Sequence, residues 1–92
     1  MKKLKLTKLA EEDLDEIAVH IATQRNVMTA LRIVDDLRER MKILRSSPLL
    51  GREVKDDDMR ELILDSYVIP YRVRGDTVEI LRVWHGRERW WG

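Results

Sequence analysis

Two stripes of apolar residues at helical spacing, separated by only a few residues, constrain this chain most. In the first stripe the apolar positions are Leu14, Ile17, Ala18 and Ile21, which lie on one face of a helix. In the second they are Ala30, Val34, Leu37, Met41 and Leu44, widened by Leu31 and Ile33. Asn26 interrupts the pattern between them. Helices joined by so short a connection fold back on each other, so the sequence predicts an antiparallel hairpin. Its first helix covers residues 8–23, and its second ends at Ser46, Ser47 and Pro48.

The start of the first helix is marked by a capping residue and by acidic side chains. Thr7 can accept a hydrogen bond from the first turn, and carboxylates are favoured near the positive end of the helix dipole. The acidic residues of this region are Glu11, Glu12, Asp13, Asp15 and Glu16. Paired carboxylates can bind a metal, but adjacent positions point in different directions around a helix. We interpret the cluster as a solvated helix N-terminus and expect no metal site.

Alternating patterns on both sides of the hairpin predict β-strands. Residues 3–7 alternate in the manner of a short half-buried strand, and further strands are predicted at 60–64, 67–74 and 77–84. Gly75 and Asp76 supply a tight turn between the last two. Pro70 cannot donate to a ladder and is expected at an edge or a bulge. The polar tract 52–58 is predicted as an exposed loop.

This order predicts an α+β fold in a single domain over residues 1–92. An N-terminal strand is followed by the helical hairpin and then by a mainly antiparallel three-strand sheet, which the hairpin covers on one face.

The composition excludes several classes of protein. The chain has 92 residues and no cysteine, so it has no disulfide and no cysteine-based metal site. It lacks the apolar run of a signal peptide and any stretch long enough to cross a bilayer, so we expect a cytoplasmic protein without a membrane role. The net charge is +1. A basic surface, able to attract phosphate or an acidic protein segment, is nevertheless expected in the C-terminal half from Arg72, Arg74, Arg82, Arg87 and Arg89.

Several segments, taken in order, resemble the RelE/ParE toxin superfamily, and most closely its ParE branch. They are residues 7–21 with Asp13, Leu14 and Ile17, residues 47–52, residues 60–62, Tyr67 with residues 69–73, and residues 80–87. The resemblance implies the toxin of a type II toxin-antitoxin system, without a cofactor, held in a hetero-oligomer by a ParD-like antitoxin. ParE-like members act on DNA gyrase, whereas RelE-like members cut messenger RNA on the ribosome.

Single positions decide between these branches. RelE-type nucleases place an arginine beside the tyrosine of the second-last strand, whereas Val68 follows Tyr67 here. Lys55 stands beside Asp56, Asp57 and Asp58, a poor place to stabilise charge on phosphate. The resemblance therefore implies a gyrase inhibitor that is not an enzyme. Two alternatives stay open: an endoribonuclease with catalytic residues Arg82, His85 and Arg87, and a non-toxic member that only binds its antitoxin.

Candidate binding residues concentrate near the C-terminus. Tryptophan and arginine are enriched at binding hot spots, and tryptophans at a chain end are costly to leave in water. The positions expected to bind the target or the antitoxin are Arg60, Trp84, Arg87, Arg89, Trp90 and Trp91. The alternative is that the tryptophans cover the sheet and that Arg60 forms an ion pair within the chain.

Three other ring side chains have both a structural and a functional interpretation. A lone histidine near a strand end, such as His85, more often packs or hydrogen-bonds than catalyses. Tyr67 and Tyr71 share a strand face, and we place them in the core in preference to stacking on RNA bases.

Overall fold

The elements follow one another in the predicted order of strand, helical hairpin and sheet. The computed structural model describes residues 1–54 and 58–86. Its elements are β1 (Lys3–Leu6), α1 (Lys8–Gln24), α2 (Val27–Met41) with a following 3₁₀ turn (Lys42–Arg45), β2 (Arg52–Glu53), β3 (Arg60–Leu64), β4 (Tyr67–Arg74), β5 (Thr77–Ile80) and β6 (Trp84–His85). The predicted α+β fold is confirmed, with two more short strands than the sequence indicated.

Side-chain caps start both helices. Thr7 Oγ1 accepts a hydrogen bond from Ala10 N at 3.2 Å, as predicted, and so ends β1 and begins α1. Asn26 Oδ1 accepts from Thr29 N at 2.8 Å at the start of α2. Each cap satisfies an N–H group that has no partner within its own helix. Asn26, where the apolar pattern is interrupted, therefore caps the start of α2, and the chain reverses direction there.

The core lies between the helical hairpin and one face of the sheet. Because side chains alternate along a strand, the odd-numbered residues of β4 face the helices. Tyr71 is fully buried there, as predicted, and Tyr67 is partly buried against the same cluster. The buried members of this core are Ala10, Leu14, Val34, Leu37, Met41, Leu44, Leu62, Leu64, Ile69, Tyr71, Val78, Ile80 and Val83.

The sheet is antiparallel except at one edge. Its strand order is β1-β5-β4-β3-β2, and β6 pairs with β4. β1 runs parallel to β5, with Leu4 opposite Val78. The hairpin of β4 and β5 turns at Gly75, whose φ is 57°, a conformation that costs glycine little. β4 thus lies at the centre, and its first residues receive the short strand β6.

The prediction of one continuous strand over 77–84 is wrong, because the run divides into β5 and β6. In a ladder, the N–H and C=O of one residue face the same neighbouring strand. Pro70 O accepts from Leu81 N at 2.9 Å, so the backbone nitrogen of Pro70 also points toward the segment after β5. Because proline has no N–H, it cannot donate the next hydrogen bond of the ladder. The ladder stops there, and Val83 N instead donates to Asp13 Oδ2 at 2.9 Å. Pro70 lies at an interruption of pairing, as its chemistry requires.

The prediction of a loop over 52–58 is wrong at its first two residues, which form β2. Arg52 lies opposite Glu61 of β3. Its Nε and Nη2 donate to Glu61 Oε1 at 3.1 and 2.9 Å. The Glu61 side chain is 4% exposed, and a buried carboxylate needs such a partner. This ion pair fixes β2 on the edge of the sheet, whereas Lys55, Asp56 and Asp57 lie outside the described residues.

Within residues 1–54 and 58–86, neither helix has the length and apolar character that a membrane crossing requires.

Candidate functional site

Asp13 connects α1 to the segment between β5 and β6. Its side chain is buried, and Oδ2 accepts from Arg82 Nε at 2.8 Å and from Val83 N at 2.9 Å. Oδ1 accepts from Arg82 Nη2 at 3.0 Å. Thr7 Oγ1 adds a bond to Leu81 O at 2.9 Å. Residues 81–83 are therefore tied to the beginning of α1, and this attachment fixes where β6 starts.

The interpretation of the acidic cluster as a solvated helix N-terminus is wrong at Asp13. Asp13 is buried with the partners given above, and Glu11 forms a bidentate pair with Arg38, both N···O distances being 2.8 Å. The hydrogen bond from Arg38 lowers the pKa of Glu11. Glu12, Asp15 and Glu16 are exposed. Within the described part of the chain, no group of three or more histidine or acidic side chains is arranged to hold a metal ion.

The basic surface expected in the C-terminal half is partly neutralised where it is described. The hydrogen bond to Asp13 raises the pKa of Arg82, and Arg82 Cζ lies 5.2 Å from the centroid of the Trp84 ring. Arg74 Nε lies 3.2 Å from Glu79 Oε1, and Arg72 Nε lies 4.0 Å from the same oxygen. Arg82 pairs with Asp13, whereas Arg72 and Arg74 share Glu79, so two carboxylates offset part of the charge of three arginines.

A groove of about 430 Å³ opens between α1 and the last strands. Its apolar lining is Ile17, Ile21, Tyr67 and Val83, and its polar lining is Asp13, Glu16, His20 and His85. The rings of Tyr67 and His85 meet edge to face, with centroids 5.6 Å apart and planes at 88°. Among the described residues no lysine or arginine lines this groove. We call it the acidic groove.

The junction from the hairpin to the sheet is built around Gly51. Tyr71 donates its hydroxyl hydrogen to Pro48 O at 2.7 Å and accepts from Gly51 N at 2.8 Å. Burial raises the pKa of the Tyr71 phenol. Arg60 Nη1 donates to Gly51 O at 2.8 Å, and its Nη2 donates to Glu53 Oε1 at 3.2 Å. The guanidinium of Arg60 is therefore used to hold this junction.

The structure brings together three of the predicted site residues and separates a fourth. Arg82, Trp84 and His85 are neighbours beside the acidic groove, where β6 pairs with the start of β4. Arg60 begins β3 and lies opposite Tyr71 of β4, away from the start of β4 where β6 pairs. The remaining predicted positions, Arg87, Arg89, Trp90 and Trp91, lie outside the described residues.

The sequence interpretation missed the site residues on α1. Glu16 lines the acidic groove, and Asp13 holds the segment that closes it. A signal was present for Asp13, which lies four positions before Ile17 and so on the border of the apolar stripe. A carboxylate at such a border indicates a buried partner, although it does not identify Arg82, which is 69 positions away.

Comparison with known proteins places this arrangement in a family. Residues 4–90 match the family model described as ParE toxin of type II toxin-antitoxin system, parDE. Toxin RelE1 of Caulobacter vibrioides is 31% identical over 84 residues, which cover 87% of this chain and 88% of that protein.

Two solved structures share the fold. A chain of the chromosomal ParDE TA system from P. aeruginosa matches with a TM-score of 0.84 and 32% identity, over 92% of this chain and 96% of that one. A chain of the toxin-antitoxin complex RelBE2 from Mycobacterium tuberculosis matches with a TM-score of 0.71 and 23% identity, over 91% and 96% of the two chains. At that identity the second match shows the fold alone. The family match over nearly the whole chain and the similarity to a ParDE protein establish that this chain belongs to the ParE toxin family of type II toxin-antitoxin systems.

Proposed function

We propose that this toxin acts by inhibiting DNA gyrase and does not cleave nucleic acid. Its resemblance to the ParE branch implies gyrase as the target. The names of its relatives include both ParE and RelE proteins. The choice between gyrase inhibition and RNA cleavage therefore rests on the chemistry of the side chains. The observation that supports our choice is the negative charge around His85.

Cleavage of RNA develops additional negative charge on phosphorus, and an enzyme must stabilise it with cations or hydrogen-bond donors. His85 shares the acidic groove with Asp13 and Glu16, whose carboxylates disfavour a phosphate group there. Arg82, the nearest candidate cation, already binds Asp13 through two nitrogens. Val68, which replaces the arginine of RelE-type nucleases, is 4% exposed. The carboxylates near His85, the pairing of Arg82 and the valine at position 68 together favour binding of a protein target over cleavage of a nucleic acid.

A ParD-like antitoxin is the proposed partner. Two of the similar structures are described as a ParDE TA system and as a toxin-antitoxin complex. We propose that this chain likewise forms a hetero-oligomer with the product of a neighbouring gene. DNA gyrase acts on the chromosome, so a chain that inhibits gyrase would do so in the cytoplasm. We therefore propose a cytoplasmic location.

The proposed contact residues are those predicted from the sequence. Of that set, Arg60 and Trp84 lie in the described part of the chain, whereas Arg87, Arg89, Trp90 and Trp91 lie outside it. Trp84 is the better choice for mutation, because the guanidinium of Arg60 already holds the junction at Gly51.

Inhibition of supercoiling by purified gyrase tests this proposal. We expect the chain to inhibit the reaction and the antitoxin to reverse the inhibition. Trp84→Ala is expected to raise the inhibitory concentration by about tenfold or more, as for an aromatic hot spot. Leu31→Ala, which removes an exposed apolar side chain on α2, is the control, whereas Trp84 is half-buried. Unaltered supercoiling at saturating toxin would contradict gyrase as the target.

A parallel measurement addresses the ribonuclease alternative. Messenger integrity is followed after induction of the chain without its antitoxin. Loss of messenger that His85→Ala abolishes, with normal plasmid topology, would move the function to the RelE branch. Normal growth with undamaged messenger and normal topology would indicate a non-toxic member that only binds its antitoxin.

A further inference from the structure

The acidic groove combines an apolar floor with a carboxylate at its rim, Glu16, that forms no hydrogen bond or ion pair with another described residue. We propose that it is the site at which the cognate antitoxin inserts an arginine side chain. This inference rests on the proposed antitoxin partner and does not depend on gyrase being the target.

The charge around the groove calls for a cation. Asp13 and Glu16 are the carboxylates that line the groove, and Arg82 pairs with Asp13, so the charge of Glu16 is left over. Glu12, which precedes Asp13 on α1, adds a further negative charge outside the lining. Glu12 and Glu16 are near enough to raise the pKa of Arg82, after the larger effect of its hydrogen bond to Asp13. Neither glutamate forms a hydrogen bond or an ion pair with another described residue, and both are exposed. Within the described part of the chain, no side chain pairs with their charge.

The floor of the groove selects arginine among cations. Ile17, Ile21, Tyr67 and Val83 present apolar surface below the carboxylates. The methylene stem of a long cationic side chain can cover such surface while its head remains at the polar rim. A guanidinium is more weakly hydrated than an ammonium, and its flat faces can stack on rings. A purely apolar side chain would instead remove water from Glu16 without replacing its hydrogen bonds.

The surroundings of the groove indicate that this arginine belongs to a protein segment. Glu16 and His20 also line a shallower depression along α1, together with Asp15, Val19 and Thr23. Val19 is 66% exposed. A chain lying along α1 would therefore cover an apolar residue next to the carboxylates, which a free cation would not do. The antitoxin is the partner that the family relationship provides for such a segment.

The test compares the dissociation rates of purified toxin–antitoxin complexes. Glu16→Lys is expected to increase the rate by about tenfold or more, because removal of one member of a close charge pair acts mainly on dissociation. Glu16→Gln should have a smaller effect in the same direction, and both effects should shrink as salt is added. Asp35→Lys is the matched control, since it makes the same charge change at an exposed position of α2 that does not line the groove. It is expected to change the rate by less than about threefold.

A charge exchange completes the experiment. Each antitoxin arginine is replaced by glutamate and paired with the Glu16→Lys toxin, and we expect one replacement to restore slow dissociation. The inference is overturned if Glu16→Lys and Asp35→Lys behave alike, or if no arginine replacement restores binding. A third outcome would also overturn the inference: the Glu16→Lys toxin binds the antitoxin normally but no longer inhibits gyrase. The groove would then be a binding site for gyrase and not for the antitoxin. Circular dichroism of each variant verifies folding, which Glu16 does not support through any hydrogen bond to a described residue.

Discussion

Replacement of Asp13 by alanine should be among the most damaging single changes to the stability of this toxin. The carboxylate accepts three hydrogen bonds, two from Arg82 and one from Val83 N. Its loss leaves the buried N–H of Val83 without this acceptor, which costs about 1–3 kcal/mol. The Arg82 side chain is 31% exposed and can regain water, so loss of the ion pair adds only about 1 kcal/mol. We expect the free energy of unfolding to fall by about 3 kcal/mol.

Calorimetry and urea denaturation measure this change. For a domain of this size, about 3 kcal/mol corresponds to a fall in Tm of roughly 12–24 °C. Glu12→Ala is the control, because Glu12 is exposed beside Asp13, and its replacement should cost less than about 0.5 kcal/mol. Arg82→Met separates the two contributions, since it removes the ion pair and keeps the bond to Val83.

The attachment of residues 81–83 to Asp13 should also affect toxicity. Residues 81–83 lead directly into β6, so Asp13→Ala should weaken toxicity even at temperatures where the variant is folded. A loss of less than about 1 kcal/mol on Asp13→Ala, or an equal loss on Glu12→Ala, would refute the role assigned to the buried carboxylate.

Three further changes test other contacts. Gly51→Ala should destabilise the domain by about 3 kcal/mol in chemical denaturation, because its Cβ would lie 2.6 Å from Tyr71 Cε1 and 2.7 Å from Glu61 O. Burial raises the pKa of Tyr71, so stability should fall as the pH rises above roughly 10, and Tyr71→Phe should remove this fall, which melting curves at alkaline pH would show. The pKa of Glu11 is lowered by its hydrogen bond from Arg38, so its contribution is complete above roughly pH 4.3 and is lost on acidification. Glu11→Gln should therefore flatten the acid limb of the stability curve, by less than about 1 kcal/mol because the pair is exposed.

Local chemistry made the order of elements predictable. The apolar stripes gave both helices, and Thr7 and the Gly75–Asp76 turn act as the sequence indicated. Each of these features depends on residues within a few positions of one another, where propensity and periodicity apply. The α+β order follows from such features alone.

The features that were predicted wrongly depend on distant residues. The strand after Gly75 stops at Ile80 because Pro70, on the neighbouring strand, offers no N–H, and because Asp13 binds Val83 from 70 positions away. β2 forms because Arg52 meets the buried Glu61. No periodic pattern within 77–84 or 52–58 contains this information. The acidic groove, whose walls come from α1, β4 and the C-terminal strands, was inaccessible for the same reason.

The pairing of Asp13 with Arg82 links the stability of the fold to the choice of activity. A nuclease needs a cation that is free to stabilise the negative charge that develops on the phosphate in the transition state. Arg82 could bind a phosphate only by leaving Asp13. The buried carboxylate of Asp13 would then lose two of its three hydrogen bonds. A phosphate that entered the acidic groove would also meet Glu16. The contacts of Asp13 that hold the segment before β6 therefore also engage Arg82, which agrees with the proposal that this chain binds a protein target and does not cleave RNA.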